Sequence, residues 1–275
     1  MKFNFTESQD KVKSMFKRVE KKDIGLIKDY IGTDYDKCLY LYLDFLKYGL
    51  DNENLKFWLN IDNDELKCVI LKYYSGMHIF SRNKDCDFDE IRELIMEESP
   101  SVICSEKFLI ESLSDTLKEM EYNSEYGWVR VLSKHCSFDN SAVERADEND
   151  FEAISKLICN DHMGEFYDLD ELICQIKERE EDNFGRNYII KDEDKIVSNA
   201  STNAELENIA VLSNVITDES YRGKGLATKV CSKLCNDLID EGKKVYLINY
   251  TEESTGLYDK LGFEISCEIG KLFKA

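Results

Sequence analysis

The sequence contains one proline and no long apolar run. Because it has no proline-rich linker, its composition marks no sharp domain boundary. Its longest apolar stretches, such as residues 102–104 and 108–110, are far shorter than the roughly 20 residues that a membrane-spanning helix needs. The first ten residues lack the apolar core of a secretion signal. These absences argue against a membrane protein and predict a cytoplasmic one.

The ten cysteines include no Cys-x-x-Cys pair, and their spacing is irregular. Cys231 and Cys235, the closest pair, are four residues apart within an apolar helical period. Zinc sites and disulfide frameworks usually show recognisable spacing. We therefore interpret the cysteines as reduced thiols and predict no metal site.

Basic residues are in the minority, with 36 Lys and Arg against 56 Asp and Glu, for a formal net charge of −20. Binding to nucleic acid requires a basic face, so this balance argues against nucleic-acid partners. The 43% hydrophobic content is typical of a packed globular chain. An anionic ligand would therefore need a local positive site.

The two halves of the sequence contain similar segments. Residues 17–31 and 144–158 align without gaps and pair Arg18 with Arg145 and Asp23 with Asp150. Both segments predict a short strand, a turn and an amphipathic helix. Residues 55–71 and 186–200 each predict a strand, an acidic turn and a second strand. We predict two copies of one fold, in domains 1–132 and 142–275, joined by a polar linker.

The second half predicts a further order of strand, glycine turn, helix, strand, helix and strand. Apolar runs at 209–212 and 215–217 predict a buried strand before the turn. From Ala227 the apolar positions form one helical stripe, and Gly242 suits the end of that helix. Residues 244–249 predict a strand, 252–261 a short helix and 263–273 a last strand.

The turn before the long helix reads Arg222-Gly223-Lys224-Gly225. A helix that starts at such a turn directs unpaired N–H groups and the positive end of its dipole outward, which favours a phosphate group. The spacing fits neither a P-loop nor a dinucleotide-binding fingerprint. By itself, a turn that merely starts a helix explains the pattern as well.

The order of strand, R-G-x-G-x-A, helix and strand, followed by L-Y-x-x-x-G-F at 257–263, resembles the GNAT superfamily of acetyl-CoA-dependent N-acyltransferases. The resemblance covers roughly residues 142–275. It implies an α/β (α+β) fold with a mixed, mostly antiparallel central sheet flanked by helices, here as two tandem GNAT-like domains. It also implies acetyl-CoA as co-substrate and a small amine or a peptide amine as acceptor.

Site residues follow from the resemblance. The strand end at Val215 would bind the pantetheine arm, the turn would hold the pyrophosphate, and Tyr258 would donate a proton to the departing thiolate. The residues expected to contact the cofactor are Val215, Ile216, Thr217, Arg222, Gly223, Lys224, Gly225, Leu226, Ala227, Thr228, Asn249 and Thr251. Family members often have N-x-x-A before the tyrosine. Thr251 and Ser254 occupy those positions here, and Asn249 could replace the asparagine.

The general base is expected among the acidic residues of the second half. Glu205 and Glu207 precede the central strand and are the candidates by placement, with His162 as a further one. Most carboxylates in so acidic a chain lie on the solvated surface, so each of these residues could also be structural.

The first half has no glycine turn at the matching position, near residues 87–98. We therefore expect a degenerate GNAT-like domain without a cofactor site. Its aromatic segment 39–48 predicts a core-facing helix or, alternatively, a wall of the acceptor pocket. Two other functions stay open: a non-catalytic acyl-CoA-binding or regulatory protein, and an acyltransferase that uses a longer acyl-CoA. Either a monomer or a homodimer is compatible with the sequence.

Overall fold

The computed structural model describes residues 16–161, 167–250 and 255–274. In this part of the chain, no helix is long and apolar enough to cross a membrane. The chain divides into two compact units, residues 1–125 with 269–275 and residues 126–268. The predicted segment 133–142 is irregular, but it lies inside the second unit, where Asn236 Nδ2 donates to Cys136 O at 3.0 Å. The division therefore differs from the predicted boundary.

The first unit is a mostly antiparallel sheet with helices. Its strands run in the order β1-β2-β3-β4-β5-β12, and β4 and β5 are its parallel pair. The elements, in chain order, are β1 Lys17–Arg18, α1 Ile24–Ile31, α2 Leu39–Tyr48, β2 Leu55–Asp62, β3 Glu65–Tyr73, β4 Gly76–Phe80, α3 Phe88–Glu98, β5 Val102–Glu106, α4 Lys107–Thr116 and the end of β12 Glu264–Lys274.

The second unit repeats this order. Its strands run β6-β11-β10-β9-β8-β7, and β10 and β11 are its parallel pair. The elements are β6 Tyr122–Leu132, β7 Glu144–Arg145, α5 Phe151–Cys159, α6 Leu169–Glu181, β8 Asn187–Asp192, β9 Lys195–Glu205, β10 Ile209–Thr217, α7 Leu226–Asp240, β11 Lys244–Asn249 and α8 Thr255–Leu261. The predicted mixed, mostly antiparallel sheet with flanking helices is confirmed.

The aligned residues of the two halves have matching environments. Asp23 accepts a hydrogen bond from Glu20 N at 2.9 Å and forms an ion pair with Lys17. In the second unit, Asp150 accepts from Asp147 N at 3.2 Å and from Lys191 Nζ at 2.9 Å. An aspartate at the equivalent position thus closes the turn before the first helix of each unit.

Each unit completes its sheet with a strand that lies outside the domain predicted for it from sequence. In the first unit, residues Ile269–Phe273 of β12 pair with β5. In the second, residues Trp128–Leu132 of β6 pair with β11. The prediction of two contiguous domains did not include this arrangement. Strand periodicity predicts where a strand lies but not which strand it pairs with.

The core of the second unit forms where α7 packs on the sheet. The predicted stripe is confirmed: Val230, Cys231, Leu234, Cys235 and Leu238 are fully buried. The helix ends in a Schellman motif, because Lys243 N donates to Leu238 O, Gly242 N donates to Ile239 O, and Gly242 has a φ of +82°.

We predict that Gly127→Ala destabilises the second unit. A Cβ at Gly127 on β6 would lie 2.3 Å from the backbone oxygen of Asn249, so the paired strands would have to separate. Overpacking of this kind costs about 1–3 kcal/mol of unfolding free energy. Urea denaturation measures the loss.

Gly25→Ala is the matched control. Gly25 lies on α1, and a Cβ placed on it would have no neighbouring atom within 4 Å. Alanine there should leave stability unchanged or raise it by up to about 1 kcal/mol. Equal effects of the two changes would contradict the close approach at Gly127.

Candidate functional site

The site begins where the parallel ladder of β10 and β11 stops. Ile209–Val211 pair with Lys244–Tyr246, and the ladder does not continue over residues 212–217 and 247–249. Backbone groups that face the resulting gap are free of this partner strand. Such an opening suits a ligand that hydrogen-bonds like an added strand.

A β-bulge bends β10 beside this gap. Between the pairs Ser213↔Ser201 and Ile216↔Asn199, two residues of β10, Asn214 and Val215, oppose one residue of β9. Asn214 has a φ of +46°, and the fully buried Asn199 donates from Nδ2 to its carbonyl oxygen at 2.9 Å. The bulge thus has a dedicated hydrogen bond that fixes the direction of the strand at Val215.

The glycine turn follows directly after β10. Gly223 and Gly225 both have a φ of +76°, and no atom lies within 4 Å of a Cβ placed on either. Gly225 caps α7 without a side-chain acceptor. In the described part of the chain, no backbone acceptor takes the N–H groups of residues 223–228. The turn and the first helical residues, Leu226, Ala227 and Thr228, therefore present unpaired donors with the positive end of the helix dipole behind them.

The cations of the turn have protein partners. Arg222 donates from Nη2 to Asp161 at 2.6 Å and from Nε to Thr217 O at 3.2 Å. Lys224 Nζ lies 4.3 Å from the ring centroid of Tyr221. Arg222 thus holds the turn against the end of β10, and its contact with a cofactor stays a prediction.

The corresponding helix of the first unit is capped differently. Asp87, the N-cap of α3, accepts from the backbone N–H groups of Asp89 at 3.0 Å and Glu90 at 3.1 Å. A carboxylate of the protein therefore occupies the N–H groups that a phosphate would need, and two more acidic residues stand in the first turn.

Tyr258 lies on α8, half-buried against the core of the second unit. Its ring meets Phe263 edge to face, with centroids 5.8 Å apart. Burial is the main cause that raises the pKa of its phenol, the nearby thiols of Cys231 and Cys235 raise it further, and Arg130 opposes them. The phenol is consequently protonated at neutral pH and can serve as a proton donor.

Arg130 is a site residue that sequence reasoning missed. It is 3% exposed on β6, and it donates from Nε to Asn249 Oδ1 at 3.1 Å and from Nη1 to Asp259 Oδ1 at 2.7 Å. It therefore ties the end of β11 to the helix that carries Tyr258. An arginine between two valines of an apolar strand is the signal that the sequence offers.

Asn249 takes part in this network, so its side-chain oxygen is already bound to Arg130. The expected cofactor contact of Thr251 and the candidate base His162 lie outside the described residues, as does Ser254. Ile216 packs on the core beneath α5 and α6, and Thr217 Oγ1 lies 3.0 Å from Ser198 Oγ.

Glu205 has a structural environment that does not suit a general base. It is 5% exposed and binds Arg186 at 2.6 Å, Lys243 at 3.1 Å and Thr202 Oγ1 at 2.6 Å. It also stands opposite Ala210, at the start of β10. Val215 in the bulge is five positions further along β10 than Ala210, about 17 Å at the usual rise of a strand.

Glu207 lies at this same end of the sheet, exposed in the turn between β9 and β10. The role of Glu207 as general base therefore stays a prediction. Sequence adjacency to a strand does not say which end of that strand carries the site.

The thiols near Tyr258 are unsuited to nucleophilic attack. Burial raises the pKa values of Cys136, Cys231 and Cys235, so these side chains stay protonated. Among the described residues, no group of three or more His, Cys, Asp or Glu side chains is placed to hold a metal ion.

The family profile described as GNAT acetyltransferase matches residues 106–270, more than half of the chain. The chain belongs to the GNAT acetyltransferase family. This membership makes it an acyltransferase, and GNAT enzymes use acetyl-CoA as co-substrate. A search of curated protein sequences finds no significant match.

Solved structures share the GNAT fold at low sequence identity. A GCN5-related N-acetyltransferase from Sphaerobacter thermophilus is 13% identical with a TM-score of 0.66, over 94% of this chain and 95% of that one. A GNAT-family acetyltransferase from Colwellia psychrerythraea is 13% identical with a TM-score of 0.61, over 94% and 99%. A tandem GNAT protein from the clavulanic acid biosynthesis pathway is 9% identical with a TM-score of 0.58, over 94% and 97%.

We predict that Glu205→Gln lowers stability by about 3 kcal/mol, because Arg186 and Lys243 lose a buried anion. Chemical denaturation measures this effect. Glu207→Gln, a change at an exposed position, should stay within about 0.5 kcal/mol of the parent. If Glu205→Gln is stable and its activity no longer falls at low pH, Glu205 is the general base after all.

Proposed function

We propose that this GNAT protein transfers acetyl from acetyl-CoA directly to an amine. The observation that carries the proposal is the opening between β10 and β11 beside the start of α7, where six successive residues, 223–228, have backbone N–H groups without a backbone acceptor. The opening offers strand-like hydrogen bonds, and the turn offers donors for a phosphate. A pantetheine arm that ends in a pyrophosphate requires both.

The residues at this opening fit acetyl-CoA in different ways. Gly223 and Gly225 leave space at the turn, so backbone donors can approach a pyrophosphate closely. The edge of β10 from the bulge to Thr217 would hydrogen-bond the pantetheine arm. Arg222 and Lys224 add positive charge nearby, although each also binds a protein partner.

The chemistry that we assign to the protein is carried by two groups. The backbone N–H at Val215, whose position the bulge fixes, would donate to the carbonyl oxygen of the acyl group as it gains negative charge. The buried phenol of Tyr258 would give its proton to the sulfur as the carbon–sulfur bond breaks. Acetyl-CoA supplies the activated acyl group, and the new bond joins the acyl carbon to the amine nitrogen as the carbon–sulfur bond breaks. The amine nitrogen would release its proton to solvent, and the phenol of Tyr258 would regain one from solvent.

Arg130 serves as a positioning residue in this proposal. Its two hydrogen bonds connect Asn249 at the end of β11 with Asp259, the neighbour of Tyr258. The charge of the buried guanidinium also opposes the effect of burial on the pKa of the phenol. Arg130 would thus fix the place of Tyr258 and keep its proton transferable.

We further propose that the first unit does not bind acetyl-CoA, because the carboxylate of Asp87 caps the helix that would receive the phosphate. The acceptor would be a small amine or a peptide amine, with no role for nucleic acid, and the protein would act in the cytoplasm as a monomer or homodimer. A longer acyl-CoA as donor, and acyl-CoA binding without catalysis, are the competing hypotheses.

Tyr258→Phe should lower kcat at least about 100-fold, because the departing sulfur loses its proton donor. Binding of acetyl-CoA should remain, since the turn and the strand edge are unchanged. Release of free CoA thiol with a panel of amines measures turnover, and calorimetry with acetyl-CoA measures binding.

Tyr188→Phe is the control tyrosine. Its hydroxyl donates to Asp237 at 2.6 Å within the second unit, so its loss should reduce stability but not turnover. Binding of acetyl-CoA without turnover of any amine in the parent protein would support the non-catalytic hypothesis. Faster turnover with a longer acyl-CoA would support the alternative donor.

Arg130→Lys should lower kcat while leaving the KM for acetyl-CoA nearly unchanged, because one ammonium cannot span both Asn249 and Asp259. Arg130→Met should lower kcat further, since the positive charge is lost as well. Steady-state kinetics on folded protein, verified by circular dichroism, separates these effects. If the variants instead raise the KM for acetyl-CoA and leave kcat unchanged, this result would contradict the positioning role.

A further inference from the structure

A row of half-buried polar side chains lines one face of α2 in the first unit. Tyr40, Asp44 and Tyr48 are four residues apart, so they share one side of the helix. Leu41 follows Tyr40 and Phe45 follows Asp44 in the sequence, and both are buried in the core. The helix therefore presents a half-buried polar stripe beside its core-facing side, and Tyr48 of this stripe also packs against the core.

Two strands supply the facing side chains. The rings of Tyr48 and Tyr73 stack with centroids 4.7 Å apart, and the rings of Tyr40 and His78 have centroids 6.0 Å apart. Asp44 lies one helical turn from each of these contacts. Its charge is among the causes that raise the pKa of Tyr73, after burial and the interactions with Tyr48 and Tyr74.

Gly76 on β4 pairs with Tyr73 and lies two residues before His78. A Cβ on Gly76 would meet only Tyr73 O at 3.7 Å and His78 Nε2 at 4.0 Å, so open space, here called the recess, lies above Gly76 and beside His78 Nε2. The surrounding side chains of Tyr40, Asp44, Tyr48, Tyr73 and His78 are all half-buried, neither fully enclosed nor fully exposed. The recess is consequently reachable from solvent.

Asp44, on the polar stripe of α2, has no hydrogen-bond or ion-pair partner among the described residues, and burial raises its pKa to about 7. Burial also lowers the pKa of His78 to about 4, so the imidazole is neutral at physiological pH. Lys72, on β3 beside Tyr73, is directed to Glu98 at 3.0 Å.

We propose that this recess binds a small organic ammonium ion. Asp44 supplies the counter-charge, the Tyr48 and Tyr73 rings supply aromatic surface, and His78 Nε2 supplies a neutral acceptor for an N–H group. Aromatic rings beside one carboxylate are a chemistry that favours organic cations over metal ions, which prefer several oxygen ligands. The net charge of −20 attracts cations to the protein in general. This site is separate from the proposed transferase chemistry.

Calorimetric titration with n-butylammonium at pH 8, where Asp44 is ionised, tests the proposal. The parent protein should bind n-butylammonium and not the neutral 1-butanol. Asp44→Asn should weaken the affinity at least tenfold, and this variant is expected to fold because it removes a buried, unpaired charge. Asp29→Asn, at an exposed position on α1, should bind like the parent.

A second variant tests the place of binding. Gly76→Val puts a branched side chain into the recess and should also abolish binding, while thermal unfolding reports whether the unit stays folded. Equal affinity in the parent and in Asp44→Asn would overturn the proposal, and so would equal binding of 1-butanol. An active transferase without n-butylammonium binding would refute this site alone, because the assay of CoA release does not use the recess.

Discussion

The early end of the parallel ladder between β10 and β11 is the constraint on which the site depends. After three paired residues the strands no longer bond to each other, and the bulge at Asn214 and Val215 turns β10 while it still pairs with β9. In the function that we propose, a ligand that hydrogen-bonds to these backbone groups would offset the cost of leaving them without a strand partner. Asn199 holds the bulge from the neighbouring strand, so the opening is part of the folded sheet.

The second feature of the site is positive potential in an acidic protein, and the backbone provides much of it. Arg222 binds Asp161 and Lys224 lies over Tyr221, so the side chains brace the turn. The unpaired N–H groups and the dipole of α7 remain available for an anion. The first unit shows the opposite arrangement, since Asp87 satisfies the N–H groups of α3 internally. One fold thus presents an open helix start in one unit and a closed one in the other.

Strand exchange gives the second unit a residue that its own half of the sequence does not contain. Residues 128–132 pair with β11 and bring Arg130 to Asn249 and Asp259. Gly127 on the same strand permits the close approach of the Asn249 backbone. A buried arginine bound to Asp259, the neighbour of Tyr258, is therefore a product of topology. The proposed proton transfer depends on this contribution as well as on the motif that contains the tyrosine.

Local pattern determined much of this protein. The sequence predicted the stripe on α7, the glycine turn, the apolar runs of β10 and the family likeness. It could do so because helix periods, strand periods and glycine conformations depend on only a few neighbouring residues. Tertiary structure decided the rest. Only the fold shows that Glu205 lies in an ion-pair cluster opposite the start of β10. Only the fold shows that each predicted half contributes a strand to the sheet of the other, and that Arg130 binds Asp259, the neighbour of Tyr258. These facts depend on which distant segments pair, and the local sequence of a strand does not specify which other strand it will hydrogen-bond to.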